Sequence, residues 1–213
     1  MKNLAEMRED YRLQSLDITD VKKDPIEQFQ IWMKAAIDSE ILEPNAMTLA
    51  TATPDGKPSA RIVLLKGIED GGFVFYTNYE SHKAKEMEKN PQAALVFNWL
   101  DLQRQIRIEG EVKRLDKEVS EAYFQSRPRG SQIGAWVSPQ SSIIEDRSVI
   151  DKREAEVRER FKDKTVLPIP DFWGGYVVRP EVFEFWQGRS SRLHDRIRYR
   201  RRDGLWIRER LAP

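Results

Sequence analysis

A chain of 213 residues, 39% of them hydrophobic, is long enough for one domain with a real core. Lys+Arg 36 against Asp+Glu 35 leaves a formal charge of +1, a balance that argues against a dedicated nucleic-acid or membrane-surface protein. The lack of cysteine removes disulfides, thiolate nucleophiles and cysteine zinc sites, and with His82 and His194 the only histidines no metal centre is expected. No apolar run approaches a membrane span, and Met1 to Glu9 lacks the apolar stretch of a secretion signal, so a soluble cytoplasmic protein is expected.

Residues 1–23 are polar and mixed in charge, and read as a mobile arm that closes over something or frays; residues 24–213 read as a single domain. Asp24-Pro25 is an N-cap followed by a first-turn proline, and Ile26, Phe29, Trp32, Met33, Ala36 and Ile37 fall on one helix face. Glu43-Pro44-Asn45 ends that helix. From Ala46 the pattern changes to short β-forming runs: Met47 to Thr53, Ala60 to Lys66, Gly72 to Asn78, Ala93 to Trp99 and Arg104 to Arg114. Pro54-Asp55-Gly56-Lys57-Pro58 makes a hairpin turn, and most connections are too short for a helical crossover. Antiparallel pairing follows, with one helical insertion from Ser81 to Asn90, and the sum suggests a closed or partly closed barrel.

Helices are predicted over Lys117 to Ser126, Ser131 to Val137 and Asp146 to Phe161, the last as a charged surface helix covering one side of the barrel. Strand character returns over Phe172 to Arg179, Val182 to Gln187, Leu193 to Tyr199 and Leu205 to Arg208, with Asp203-Gly204 as a hairpin turn.

Several clusters could carry chemistry. Tyr123 and Arg127, four apart on a helix, face the same way, and Ser131 stands at the next helix start, where an anion is favoured. This is a phosphate cradle or a capped helix–turn–helix with an exposed arginine. Arg61 and Lys66 bound an apolar strand with opposite parity, serving two anionic groups or merely ending a core strand. Tyr76-Thr77-Asn78 leading into Ser81-His82-Lys83 is a second phosphate site or an ordinary cap, while Gln105 and Gln140-Ser141 offer groups able to read a heterocycle's edge. Near the C-terminus, an extended Arg192 to Arg196 would put Arg192, His194 and Arg196 on one face beside Trp186. That face holds an anionic or electron-rich ring, or it is a solvated basic edge strand continued by Arg198, Arg200 and Arg202.

In series these segments resemble one family, the pyridoxine (pyridoxamine) 5′-phosphate oxidases. The resemblance rests on Arg61-Ile62-Val63-Leu64-Leu65-Lys66, Phe75-Tyr76-Thr77-Asn78, Ser126-Arg127-Pro128-Arg129, Ser131-Gln132-Ile133-Gly134-Ala135, Gln140-Ser141-Ser142, Phe172-Trp173-Gly174-Gly175, Phe185-Trp186-Gln187-Gly188, Arg192-Leu193-His194-Asp195-Arg196 and Glu209-Arg210-Leu211-Ala212-Pro213. It implies a mainly β (α+β) fold, an FMN-binding split barrel of antiparallel strands with peripheral helices, working as a homodimer with FMN at the interface. It implies that Arg61 and Lys83 hold the FMN phosphate, with His82 also among the cofactor-binding residues, while Ile62, Val63, Leu64, Leu65, Lys66, Tyr76, Thr77, Gln105, Gln140, Ser141, Trp186 and Arg196 line the rest of the flavin. Lys66, Tyr123, Arg127 and Ser131 would grip the substrate phosphate, Arg192 and His194 would sit over the pyridine ring as catalytic residues, and Arg8 with Tyr11 would belong to a lid.

The activity so implied is hydride transfer from pyridoxine or pyridoxamine 5′-phosphate to the flavin, giving pyridoxal 5′-phosphate. Molecular oxygen would reoxidise the flavin and leave as hydrogen peroxide. His82 departs from the family's usual arginine. The alternatives are another flavin oxidoreductase on the same barrel, or a non-catalytic FMN- or pyridoxal-phosphate-binding protein.

Overall fold

The computed structural model describes residues 3–7 and 9–213, so Arg8 lies outside the described residues. Helix α1 (Pro25–Asp38) begins as its sequence requires: the Asp24 carboxylate accepts a hydrogen bond from the Ile26 N–H at 2.8 Å, satisfying one open donor of the first turn. Phe29, Trp32 and Ala36 form its buried face. They meet the sheet edge-on, Phe29 against Phe73 and Phe97, and Trp32 against Phe185.

The strands are β1 (Ala46–Ala52), β2 (Pro58–Leu64), β3 (Gly67–Glu69), β4 (Gly72–Asn78), β5 (Gln92–Trp99), β6 (Arg104–Arg114), β7 (Trp173–Gln187), β8 (Asp195–Arg202) and β9 (Leu205–Leu211). Helix α2 (His82–Lys89) stands between β4 and β5. They make a nine-stranded sheet in the order β2-β1-β5-β6-β7-β4-β3, with β8 on β7 and β9 on β8. All pairs are antiparallel, as the short connections predict. Strand β7 pairs with β6 along one edge, while its other edge is shared, Trp173 to Val178 with β4 and Val182 to Gln187 with β8. The sheet therefore forks at β7 instead of closing, and the result is the expected half-open split barrel with peripheral helices.

Strand β7 is continuous where the sequence suggests two strands. Between Glu109 and Gly110 its register on β6 shifts by one residue, so that Glu109 faces Val182 and Gly110 faces Pro180. A Cβ on Gly110 would stand 2.0 Å from the Arg179 carbonyl oxygen, which is why glycine faces the bulge from β6. Strand β3, only three residues long, was not signalled by any apolar run.

Helices α3 (Lys117–Ser126), α4 (Arg129–Val137) and α5 (Ser148–Arg160) gather around a second core of Phe124, Ile133, Val137, Phe161, Leu167 and Trp173. Helix α5 joins this cluster through Ile150 and Val157, and Trp173 ties the cluster to the sheet. Residues 9–23 are anchored more than their composition suggests. Leu16 and Val21 are buried, Tyr199 Oη donates to the Lys22 carbonyl, and Arg208 donates to the carbonyls of Ile18 and Val21.

One local expectation fails. Arg192 to His194 is not strand: Ser190–Arg192 forms a single 3-10 turn with left-handed φ at Ser191 (56°) and Arg192 (61°), and β8 begins only at Asp195. The alternation argued for Arg192, His194 and Arg196 therefore does not apply.

Candidate active site

A cavity of about 680 Å³ opens where β2, β4, α2, α3 and α4 meet. Arg61, Ile62, Val63, Leu64, Lys66, Tyr76, Thr77, His82, Lys83, Tyr123, Arg127, Ser131, Gln140 and Ser141 all line it, so most of the residues singled out in the sequence converge here. Leu65 turns into the core instead. Strand β2 stops at Leu64, which frees Lys66 from the parity that would have set it opposite Arg61.

No carboxylate lines this cavity among the described residues, although Arg61, Lys66, His82, Lys83 and Arg127 all do. Lys83 is buried, and its ammonium donates to Thr77 Oγ1 (3.2 Å), Ser81 Oγ (3.3 Å) and Gln140 Oε1 (3.1 Å), all neutral partners. Burial, and then the nearby Arg61 guanidinium, push its pKa down to about 8. Arg127 is likewise short of negative charge: burial lowers its pKa, against a smaller opposing effect of Tyr123, and its buried Nη1 has no hydrogen-bond partner. Such cations need an anion from outside the chain. The donor set therefore fits phosphate groups.

The cavity wall is aromatic. Tyr76 stacks on Tyr123 with centroids 3.8 Å apart, Trp173 lies nearly parallel to both at 5.5 Å from Tyr76 and 6.3 Å from Tyr123, and the Arg127 guanidinium sits over the Trp173 ring at 4.6 Å. Burial, then the charge of Glu69, push the Tyr76 phenol up to about 12, so it stays a neutral donor. A Cβ on Gly175 would lie 2.8 Å from the Tyr76 ring, which ties the Phe172-Trp173-Gly174-Gly175 segment to this wall. Arg127 caps α3 in extended backbone rather than continuing it, and Ser131 sits in the first turn of α4.

The other predicted residues lie elsewhere. Trp186 and His194 touch (4.5 Å between centroids), and Tyr11 packs 5.9 Å from each. Arg192 and His194 line a separate cavity of about 540 Å³ with Tyr11, and Gln105 lines a third with Trp186. Arg196 is held by Glu184 through Nε–Oε1 (2.8 Å) and Nη2–Oε2 (3.0 Å). The Arg189 N–H donates to His194 Nδ1 at 3.1 Å, so the neutral ring carries its proton on Nε2. Burial, then Arg192, lower the His194 pKa and favour that neutral form. Within one chain these two groups of residues thus face different cavities.

Sequence reasoning missed Trp173, quoted only as part of a motif, and Glu86, which was not singled out within the helical insertion Ser81 to Asn90. It also gave no hint that Glu184 would grip Arg196.

Residues 33–161 match the family described as pyridoxamine 5′-phosphate oxidase, and residues 173–213 match the pyridoxine 5′-phosphate oxidase C-terminal dimerisation region. The chain belongs to the pyridoxine/pyridoxamine 5′-phosphate oxidase family. It is accordingly an enzyme, an oxidoreductase. Relatives bearing the family name in Salinibacter ruber and Ralstonia nicotianae are 56% and 55% identical to it, over the whole of both chains. Among solved structures, PhzG from Burkholderia lata 383 in complex with tetrahydrophenazine-1-carboxylic acid is 30% identical, with a TM-score of 0.86 over 94% of this chain and 100% of that one. A pyridoxamine 5′-phosphate oxidase-related, FMN binding protein from Nostoc punctiforme shares the fold at 17% identity and a TM-score of 0.68, over 94% of this chain and 100% of its own. No helix among the described residues is long and apolar enough to cross a membrane.

Proposed function

We propose that this member of the family oxidises pyridoxine 5′-phosphate or pyridoxamine 5′-phosphate to pyridoxal 5′-phosphate, with FMN as cofactor, molecular oxygen as electron acceptor and hydrogen peroxide as product. This would be the last step of pyridoxal phosphate biosynthesis and salvage. The observation that carries the reading is the acid-free cavity, which sets cations around a stacked aromatic wall. FMN, when bound, supplies the two-electron acceptor that the side chains of this chain lack.

Arg61, His82 and Lys83 are then the groups for the FMN phosphate. Lys66, Tyr123, Arg127 and Ser131 are those for the substrate phosphate, with the unpartnered Arg127 Nη1 as the strongest single argument. Two phosphate anchors fix two flat rings relative to each other, so the task of the protein is mainly geometric. Trp186, Arg192, His194 and Arg196 act from the partner copy in a homodimer with FMN at the interface; the match of residues 173–213 to a dimerisation region supports this arrangement. With Nδ1 engaged by the Arg189 N–H, neutral His194 offers an N–H donor, which suits orienting the substrate better than taking its proton. Arg192 stabilises negative charge on the exocyclic oxygen of pyridoxine 5′-phosphate as its proton is lost to solvent, since departure of the hydride itself leaves the reacting carbon electron-poor.

Anaerobic mixing of the FMN-loaded protein with pyridoxine 5′-phosphate tests the reading. The flavin absorbance should bleach, and admitting oxygen should restore it with release of peroxide. Absorbance that does not bleach would leave only a binding protein.

A further inference from the structure

Glu86 stands one helical turn beyond His82 on α2, and it is 5% exposed. Its Oε2 accepts hydrogen bonds from Thr51 Oγ1 (2.5 Å) and Ser59 Oγ (2.6 Å) and lies 3.4 Å from Arg61 Nη2; its Oε1 lies 2.9 Å from His82 Nε2. Groups from β1, β2 and α2 thus converge on one carboxylate. It does not line the 680 Å³ cavity, although Arg61 and His82 do. It borders a smaller cavity of about 320 Å³ behind them, shared with His82, Glu80, Lys85 and Lys89.

A buried carboxylate close to a phosphate site is adverse to phosphate unless it does something else there. Here its hydrogen-bond and ion-pair contacts are all with donors. Burial works against ionisation of Glu86, but hydrogen bonds from Ser59 and Thr51, then the charges of His82 and Arg61, hold its carboxyl below the usual range. The Arg61 fork is tied further by Nη1 to the Leu49 carbonyl (3.1 Å) and Thr51 Oγ1 (2.6 Å), and by Nη2 to Ser59. A guanidinium fixed in this way loses little freedom when an anion arrives. His82, bonded to the carboxylate through Nε2, keeps Nδ1 for a ligand.

We propose that Glu86 is a positioning residue, which from behind the cavity holds Arg61 and His82 together as one receptor for the phosphate monoester of FMN. The proposal rests on the FMN reading above. Histidine at position 82 gives it point: an imidazole is short, and a carboxylate one turn away, 2.9 Å from its Nε2, fixes its aim.

The test compares FMN with riboflavin, which shares the ring and ribityl chain but lacks the phosphate, each titrated into apo-protein by flavin fluorescence. Glu86→Gln is expected to weaken FMN about tenfold or more while riboflavin affinity changes less than about twofold. The riboflavin affinity also reports that the variant is folded. Parallel loss of both flavins, or unchanged FMN affinity, would overturn the proposal. In an Arg61→Ala/His82→Ala background the same change should leave FMN affinity within about twofold, since nothing remains for the carboxylate to act through. A further tenfold loss there would count against it. Wild-type protein that takes up neither flavin would instead overturn the functional reading, and no substitution is involved in that result.

Discussion

Tyr76 of β4 and Tyr123 of α3 lie face to face, centroids 3.8 Å apart and planes within 14°. The contact joins the sheet to the helical cluster, and it joins the proposed flavin subsite to the proposed substrate-phosphate subsite. Tyr123→Phe keeps the stack and should melt like the wild type, with KM for the phosphorylated substrate raised by the missing hydroxyl. Tyr123→Ala should lose about 1 kcal/mol or more of stability besides, read as a lower melting temperature.

Arg127 is a cation whose Nη1 has no partner, so the unliganded protein gains little from its charge. Arg127→Met, which keeps bulk over Trp173, is expected to leave the melting temperature of apo-protein unchanged or raised. The same variant should raise KM about tenfold to a hundredfold, and should no longer be stabilised by inorganic phosphate in a melting assay.

Lys83 titrates near pH 8 in the fold instead of at its ordinary 10.5. Between those two values the unfolded chain binds the extra proton, so this group makes apo-protein stability rise with pH from about 8 to about 10.5. If Lys83 holds the FMN phosphate as proposed, FMN binding should weaken over the same window. Denaturant melts and FMN titrations across that range check both signs, and Lys83→Met should flatten both.

If one site draws on both protomers, two inactive variants can rescue each other. Lys83→Ala and Arg192→Ala, each inactive alone, should recover about a quarter of wild-type activity after subunit mixing, because half the dimers are mixed and each carries one intact site. Arg192→Ala by itself should retain its FMN while losing turnover. Mixing that restores nothing would place both residues in one protomer's site.

With Nδ1 occupied, His194 should act by donating a hydrogen bond. His194→Asn is then expected to raise KM about tenfold while the kcat profile between about pH 6 and 8 keeps its shape. Disappearance of a limb in that profile would make His194 a base.

The early strands were legible because their alternation is regular: β1 and β5 bury every second residue, and β2 is bounded by the proline- and glycine-containing turn before it. Strand β7 was not, since its core-facing residues are Tyr176 and Val178 before the bulge but Phe183 and Phe185 after it, a change of parity that looks like two strands. The turn at Ser191 and Arg192 was hidden for a different reason. Left-handed backbone is usually announced by glycine or asparagine, and neither residue is one. Residue types identified the cationic groups well. They could not say that Trp186, Arg192 and His194 would open on different cavities from Arg61 and Lys83, because that depends on where β7 forks.

That same bulge sets the phase of everything downstream. Trp173 and Trp186 are an odd number of residues apart and would point to opposite sides of an unbroken ribbon. Pairing Gly110 with Pro180 and Glu109 with Val182 inserts one extra residue, and both indoles come out on one side. Removing Glu181 would therefore leave the downstream sequence intact yet turn Trp186, Glu184 and the β8–β9 hairpin over by half a turn, delivering Trp186 to the opposite side of the ribbon from Trp173.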